Sequence, residues 1–225
     1  YGENNFTGII SAYGGTVGQT RGGAGTIFLK GSGQTYGDLK VDNYNYDGMV
    51  TPIIDGSHNF DKIEVIRKGK LEISAGDTLA ISNLYVKENA VMISAGNVNV
   101  SQEFSVENNG EVYLNSGSFA AGNLTVGNLG KFYLNIKLVL ANLKILSGGL
   151  FSHSSNRLGA ELEISNDLII DSGGSINLNG RGYPNDQGPG KGGSYFISGW
   201  GWYGGGGGYG GVGGATQPPY AGGGG

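Results

Sequence analysis

The chain has no cysteine, which removes disulfide frameworks, thiolate zinc sites and cysteine nucleophiles together. Charge is scarce: charged residues make up 14% of the 225, against about a quarter in ordinary globular chains. The net charge of −4 offers no electrostatic footprint for nucleic acid or an anionic membrane surface, so neither is expected as a partner. No run approaches the roughly eighteen consecutive apolar residues of a membrane-spanning helix, and no signal peptide is evident. The chain begins at Tyr1 instead of Met, as a processed, exported product or a fragment would. Apolar residues never recur at three- and four-residue spacing, so no helix is expected.

What the chain does have is a period. From Ile63 onward the same arrangement returns, with starts at Ile63, Leu84, Phe104, Leu124, Leu143 and Leu168, in steps of 21, 20, 20, 19 and 25 residues. Two positions after each start lies Val65, Val86, Val106, Val126, Ile145 or Ile170. Six positions after it lies Gly69, Ala90, Gly110, Gly130, Gly149 or Gly174. A second alternating pair follows the turn, as in Leu71/Ile73, Val112/Leu114, Phe132/Leu134 and Ile176/Leu178, with Val91/Ile93 read as a copy that has lost one residue and His153 interrupting the fifth. A third pair completes most copies, at Leu79/Ile81, Val98/Val100, Leu138/Leu140 and Leu162/Ile164, with a weaker version at Phe119. Alternation with period two is the mark of half-buried strands, and a fixed period near twenty means that each unit buries its apolar side only by stacking on its neighbours. The expected fold is all-β, a parallel β-solenoid with three short strands per coil of about twenty residues and coils about 4.8 Å apart. The rival is an antiparallel β-sandwich, which the recurrence of the turn glycine disfavours.

Three regions are expected: irregular β coils over residues 1–62, the regular solenoid over 63–187, and a Gly/aromatic-rich segment over 188–225. In the first, Leu39/Val41 stand where a further coil would start. In the last, half of the residues are glycine, punctuated by Tyr195, Phe196, Trp200, Trp202, Tyr203, Tyr209 and Tyr220. Fixing a glycine backbone costs about 1–2 kcal/mol per residue, so order in this segment requires packing against the solenoid or a neighbouring subunit. Open solenoid ends expose unpaired strand edges and apolar coil interiors, and neither end has an evident capping helix or a cluster of charge. Copies of the same chain, joined head to tail or by strand complementation, would cover those ends.

The segments Gly22-Gly23-Ala24-Gly25-Thr26-Ile27-Phe28-Leu29-Lys30 and Tyr36-Gly37-Asp38-Leu39-Lys40-Val41-Asp42-Asn43, together with the Gly-Gly-Tyr-Gly-Gly tail, resemble modules of secreted bacterial and archaeal β-solenoid surface proteins of the adhesin or filamentous-hemagglutinin type. The resemblance implies a right-handed β-helix and an extracellular or cell-surface role, and it carries no site residues over, because its motifs are compositional.

Chemistry is sought by stacking equivalent positions. Parallel β-helices that cleave polysaccharides need carboxylates or cations grouped across adjacent coils. The outward columns Glu64, Tyr85, Ser105, Thr125, Lys144, Ile169 and Ile66, Lys87, Glu107, Gly127, Leu146, Asp171 contain no such group. His58 and His153 lie about five coils apart, about 20 Å along the axis, too far to share a metal, and each reads as an ordinary turn or surface histidine. Asp47-Gly48 and Asn185-Asp186 lack the acidic ladder of a calcium loop. No catalytic residue, metal or cofactor is expected. Asn89, Asn108, Asn109 and Asn128 stand beside the turn glycines, as a hydrogen-bonded ladder would require. Asn-x-Ser/Thr sequons make Asn5, Asn99 and Asn123 candidate glycosylation sites, the last two on outward positions. Tyr195, Trp200, Trp202, Tyr203, Tyr209 and Tyr220 are candidate contacts for a subunit or a polysaccharide. The expectation is a non-enzymatic extracellular structural subunit of a filament or surface layer. A carbohydrate-binding adhesin module is the alternative, and a polysaccharide lyase or hydrolase stands well behind.

Overall fold

The computed structural model describes residues 7–53, 56–154 and 161–181, and the backbone of 194–197 and 201–204. It divides into two units, one of residues 1–154 with 159–178 and one of residues 155–158 with 179–225.

The first unit opens with a small antiparallel pair, β1 (Thr16–Val17) with β2 (Thr20–Arg21), and a strand β3 (Thr26–Leu29) that lies antiparallel to β4 (Asp38–Asp42). From β4 onward every pairing in this unit is parallel. β5 (Thr51–Ile53) closes the first coil; then long and short strands alternate as β6 (Ser57–Ile66) and β7 (Lys70–Ile73), β8 (Thr78–Val86) and β9 (Val91–Ser94), and β10 (Asn97–Val106) and β11 (Glu111–Leu114). The alternation continues through β12 (Phe119–Val126), β13 (Lys131–Leu134), β14 (Lys137–Ile145) and β15 (Leu150–Ser152) to β16 (Glu161–Ile164), β17 (Leu168–Ile170) and β18 (Ser175–Ile176). The long strands form one nine-stranded sheet and the short ones a seven-stranded sheet, stacked as a parallel β-solenoid of about six turns with no helix among the described residues.

Two sheets, not three, enclose the core. The third apolar pair of one copy and the first pair of the next lie on one continuous long strand, which bends where the register slips between Val100 and Glu103 and breaks into β16 and β17 only in the last coil. The repeat is otherwise reproduced residue for residue. Leu39, Ile63, Leu84, Phe104, Leu124, Leu143 and Leu168 form one column, and Val41, Val65, Val86, Val106, Val126, Ile145 and Ile170 the next. Buried rings join the middle coils, with Phe104 at 5.4 Å from Phe119 and 5.8 Å from Phe132, and Phe132 stacked on Phe151 at 5.3 Å.

One inward pair departs from the sequence reading. In β9 it is Met92 and Ser94 that are buried, in register with Leu71/Ile73 below and Val112/Leu114 above, while Val91 and Ile93 face outward. No residue has been lost from that copy. His153 is also not a surface residue: it is 6% exposed, with Nδ1 2.6 Å from the Ser154 carbonyl oxygen.

Between long and short strands the chain turns through two residues in the left-handed region. Arg67/Lys68, Glu88/Asn89, Asn108/Asn109 and Asn128/Leu129 all have φ between 46° and 65°. A fourth-to-first backbone bond closes each turn, from Gly69 N to Ile66 O, Gly110 N to Glu107 O and Gly130 N to Gly127 O, all at 2.8 Å. Asn128 donates through Nδ2 to Asn108 Oδ1, a single side-chain rung along this corner, while Asn89 and Asn109 bond to the next coil through their backbone N–H groups. A second ladder links Asn135 Nδ2 to Asn115 Oδ1 at 2.9 Å and to Ser154 Oγ at 3.1 Å.

The two ends of the stack differ. At the N-terminal end the first coil's interior is covered: Ala24, Leu39, Val41 and Ile53 are buried, and the edge of the long sheet is the antiparallel β3. At the C-terminal end Leu168, Ile170 and Ile176 are 48%, 45% and 39% exposed, whereas their neighbours one coil earlier, Leu143, Ile145 and Phe151, are 1%, 0% and 3% exposed. The expectation of two open ends is corrected at the N-terminal one.

The second unit contains β19 (Ser194–Ile197) and β20 (Gly201–Gly204), an antiparallel pair with Tyr195 opposite Tyr203 and Phe196 opposite Trp202.

Candidate functional site

The turn after β4 is the first of the left-handed column, and it is built differently from the rest. Tyr44 and Asn45 have φ of 52° and 65°. A bulky aromatic in this region is unfavourable, and the neighbourhood holds it there. Tyr44 N–H donates to Asp42 Oδ1 at 3.0 Å, Tyr46 N–H to Asn43 O at 2.9 Å, and Asn45 N–H to Arg67 O of the next coil at 2.9 Å. Asn43, 1% exposed, clamps the turn from inside, accepting from Gly14 N–H at 2.8 Å and donating through Nδ2 to Tyr46 O at 2.6 Å. A Cβ on Gly48 would lie 2.2 Å from Gly22 O, so the chain on either side is in close contact with the incoming N-terminal segment.

That scaffold brings three tyrosines together at the surface. Tyr13 lies 5.8 Å from Tyr44 and 5.7 Å from Tyr46, and Tyr44 lies 6.3 Å from Tyr46, between ring centroids. They remain 50%, 44% and 36% exposed. The Arg21 guanidinium carbon sits 3.6 Å from the Tyr46 ring centroid, and that of Arg67 sits 4.7 Å from the Tyr44 centroid. Arg67 is occupied, because Nε and Nη2 both donate to the buried carboxylate of Asp42, which Lys40 also approaches at 3.1 Å. Burial alone would raise the Asp42 pKa; Arg67, the Tyr44 N–H and Lys40 outweigh it and hold the carboxyl below its ordinary value. Arg21 has no carboxylate or hydrogen-bond acceptor in reach among the described residues. In the sequence, Tyr44-Asn45-Tyr46-Asp47-Gly48 carries only the pattern of a turn. Two aromatics flanking an asparagine were the only local signal, and Tyr13 and Arg21 arrive from outside that window.

Along the outer face the charges pair off. Lys62 Nζ lies 3.2 Å from Asp38 and 3.7 Å from Glu64, which Lys87 also approaches at 3.7 Å; Lys131 meets Glu111 at 2.6 Å, and Lys137 bridges Glu161 and Glu163 at 2.8 and 2.9 Å. The column Glu64, Tyr85, Ser105, Thr125, Lys144, Ile169 is present as expected from the repeat. Among the described residues no three metal-binding side chains converge, and no helix is long and apolar enough to cross a membrane.

The sequons divide. Asn99 is exposed, with Ala80 and Ala120 as its neighbours in the column, and it borders a shallow groove with Thr78, Asn97, Ser118, Lys137 and Val139. Asn123 is exposed but engaged, donating to Gln102 O at 3.2 Å and accepting from Asn142 Nδ2 at 2.7 Å. Asn5, Trp200, Tyr209 and Tyr220 lie outside the described residues, and of Tyr195, Trp202 and Tyr203 only the backbone register is described.

Comparison with protein-family models, with curated proteins and with solved structures finds no match to this chain. What the strand register establishes is the architecture, a parallel β-solenoid.

Proposed function

We propose that this chain is a non-enzymatic structural protein of the cell exterior, of the adhesin or filamentous-hemagglutinin kind, whose copies assemble through the C-terminal end of the stack. One observation carries the reading: inward side chains that are sealed in every interior coil become 39–48% exposed at Leu168, Ile170 and Ile176, on β16, β17 and β18 or beside them, strands beyond which no further strand pairs among the described residues. An apolar interior next to free backbone donors and acceptors is the surface that β-proteins normally cover. The opposite edge of the long sheet, β3, carries Phe28 and Leu29 exposed and could pair with it. Contacts of this unlike-with-unlike kind extend into filaments when the rotation does not close.

Sedimentation velocity over a range of concentrations, with negative-stain microscopy, tests the proposal. Wild type is expected to polymerise, and a Leu168→Lys/Ile170→Lys variant to stay monomeric with its β circular dichroism intact. A wild type that remains monomeric, or a double variant that assembles as before, overturns it. A carbohydrate-binding role is the second reading, supported by the exposed tyrosines beside Arg21.

A further inference from the structure

The geometry points to a saccharide-binding platform formed by Tyr13, Tyr44, Tyr46 and Arg21, selective for sugars that carry a carboxylate, such as uronates. Three features of the platform combine. First, its rings are exposed and mutually in contact, and aromatic faces of this kind stack against the apolar C–H face of a pyranose. Second, the backbone beneath them is fixed. Tyr44 stays in the left-handed region because Asn43, buried and bonded to Gly14 N and Tyr46 O, leaves the turn no alternative. Third, the Arg21 guanidinium carbon lies over the Tyr46 ring, 3.6 Å from its centroid, a contact with the ring that takes up none of its N–H donors as hydrogen bonds. No acceptor among the described residues takes them.

The charge pattern selects the ligand. Asp42 is paired with Arg67 and Lys40, and Asp47 with Lys68 at 2.7 Å, so among the described residues the charge beside the rings that has no ion-pair partner is the cation Arg21. A guanidinium with free paired donors matches a carboxylate in bidentate fashion, and the adjacent ring face matches the sugar that bears it. A neutral sugar would satisfy the rings and leave the cation unused.

Affinity electrophoresis of the full chain through gels containing polygalacturonate, with fully methyl-esterified polygalacturonate as comparison, tests the platform. Wild type is expected to be retarded by the acid form and much less by the ester. Arg21→Gln is expected to lower affinity about tenfold and flatten its salt dependence. Tyr13→Ala should bind about tenfold more weakly, because it removes a ring face. Equal retardation by acid and ester, no retardation of wild type, or wild-type binding by Arg21→Gln at an unchanged melting temperature overturns the inference. Should Tyr13→Ala fail to fold, Arg21→Gln decides. The Leu168→Lys/Ile170→Lys variant should bind as wild type, which keeps this test separate from that of assembly.

Discussion

At the turn column glycine is required by distance more than by dihedral angle. A Cβ at Gly110, Gly130 or Gly149 would lie 2.1–2.2 Å from the carbonyl oxygen of Val86, Val106 or Val126 in the coil before. One copy has Ala90 at this position, and there the turn bond to Lys87 O is 3.3 Å, longer than the 2.8 Å at Gly110 and Gly130. Gly130→Ala is therefore expected to fold but to lose about 1–3 kcal/mol in urea titration. The recurrence of glycine was legible because it repeats in the chain. Its cause was not, because the obstructing carbonyl lies about twenty residues away in sequence. Asp42 makes a second prediction at this scale. Its pKa is lowered in the folded state, so its contribution to stability is present above the unfolded value of about 3.9 and is lost as the pH falls through the lower folded value. Asp42→Asn should reduce stability at neutral pH, leaving Arg67 and Lys40 without their carboxylate, and should flatten the acid limb of a thermal-melt profile below about pH 4.

Among the strands, alternation alone was ambiguous where apolar residues run on without a break. Ala90-Val91-Met92-Ile93 is compatible with either face inward, and only pairing with Leu71 on one side and Val112 on the other sets Met92 inside. The third strand of each coil was misjudged for a related reason. The bend in the long sheet costs only a local register shift near Ser101, so the chain never leaves that sheet. In the middle coils the core depends on the ring stack, and Phe132 touches Phe104 on one side and Phe151 on the other. Phe132→Ala is expected to cost about 3–5 kcal/mol, measured by chemical denaturation, since its neighbours belong to different coils and cannot all collapse into the space.

Over the whole molecule, stability is close to a sum of coils and coil-to-coil contacts. Deleting residues 104–123 joins Glu103 to Leu124, which are adjacent in register because Phe104 pairs with Leu124. The shortened chain is expected to keep its β circular dichroism and to melt cooperatively at a lower temperature; a chain without folded signal would contradict that additive view. The period, the strand type and the turn sites all depend on residues within one coil and its copy, so the sequence alone determined them. Three things were decided only by tertiary structure. β3 folds back antiparallel and seals one end of the core while Leu168, Ile170 and Ile176 stay exposed at the other. Met92 faces inward. Tyr13 and Arg21 meet Tyr44 and Tyr46 across some thirty residues of chain that no periodic pattern connects. Each of these depends on which segments come into contact, and a periodic code specifies stacking between equivalent positions but says nothing about non-repeating segments, where neither spacing nor alternation names the partner.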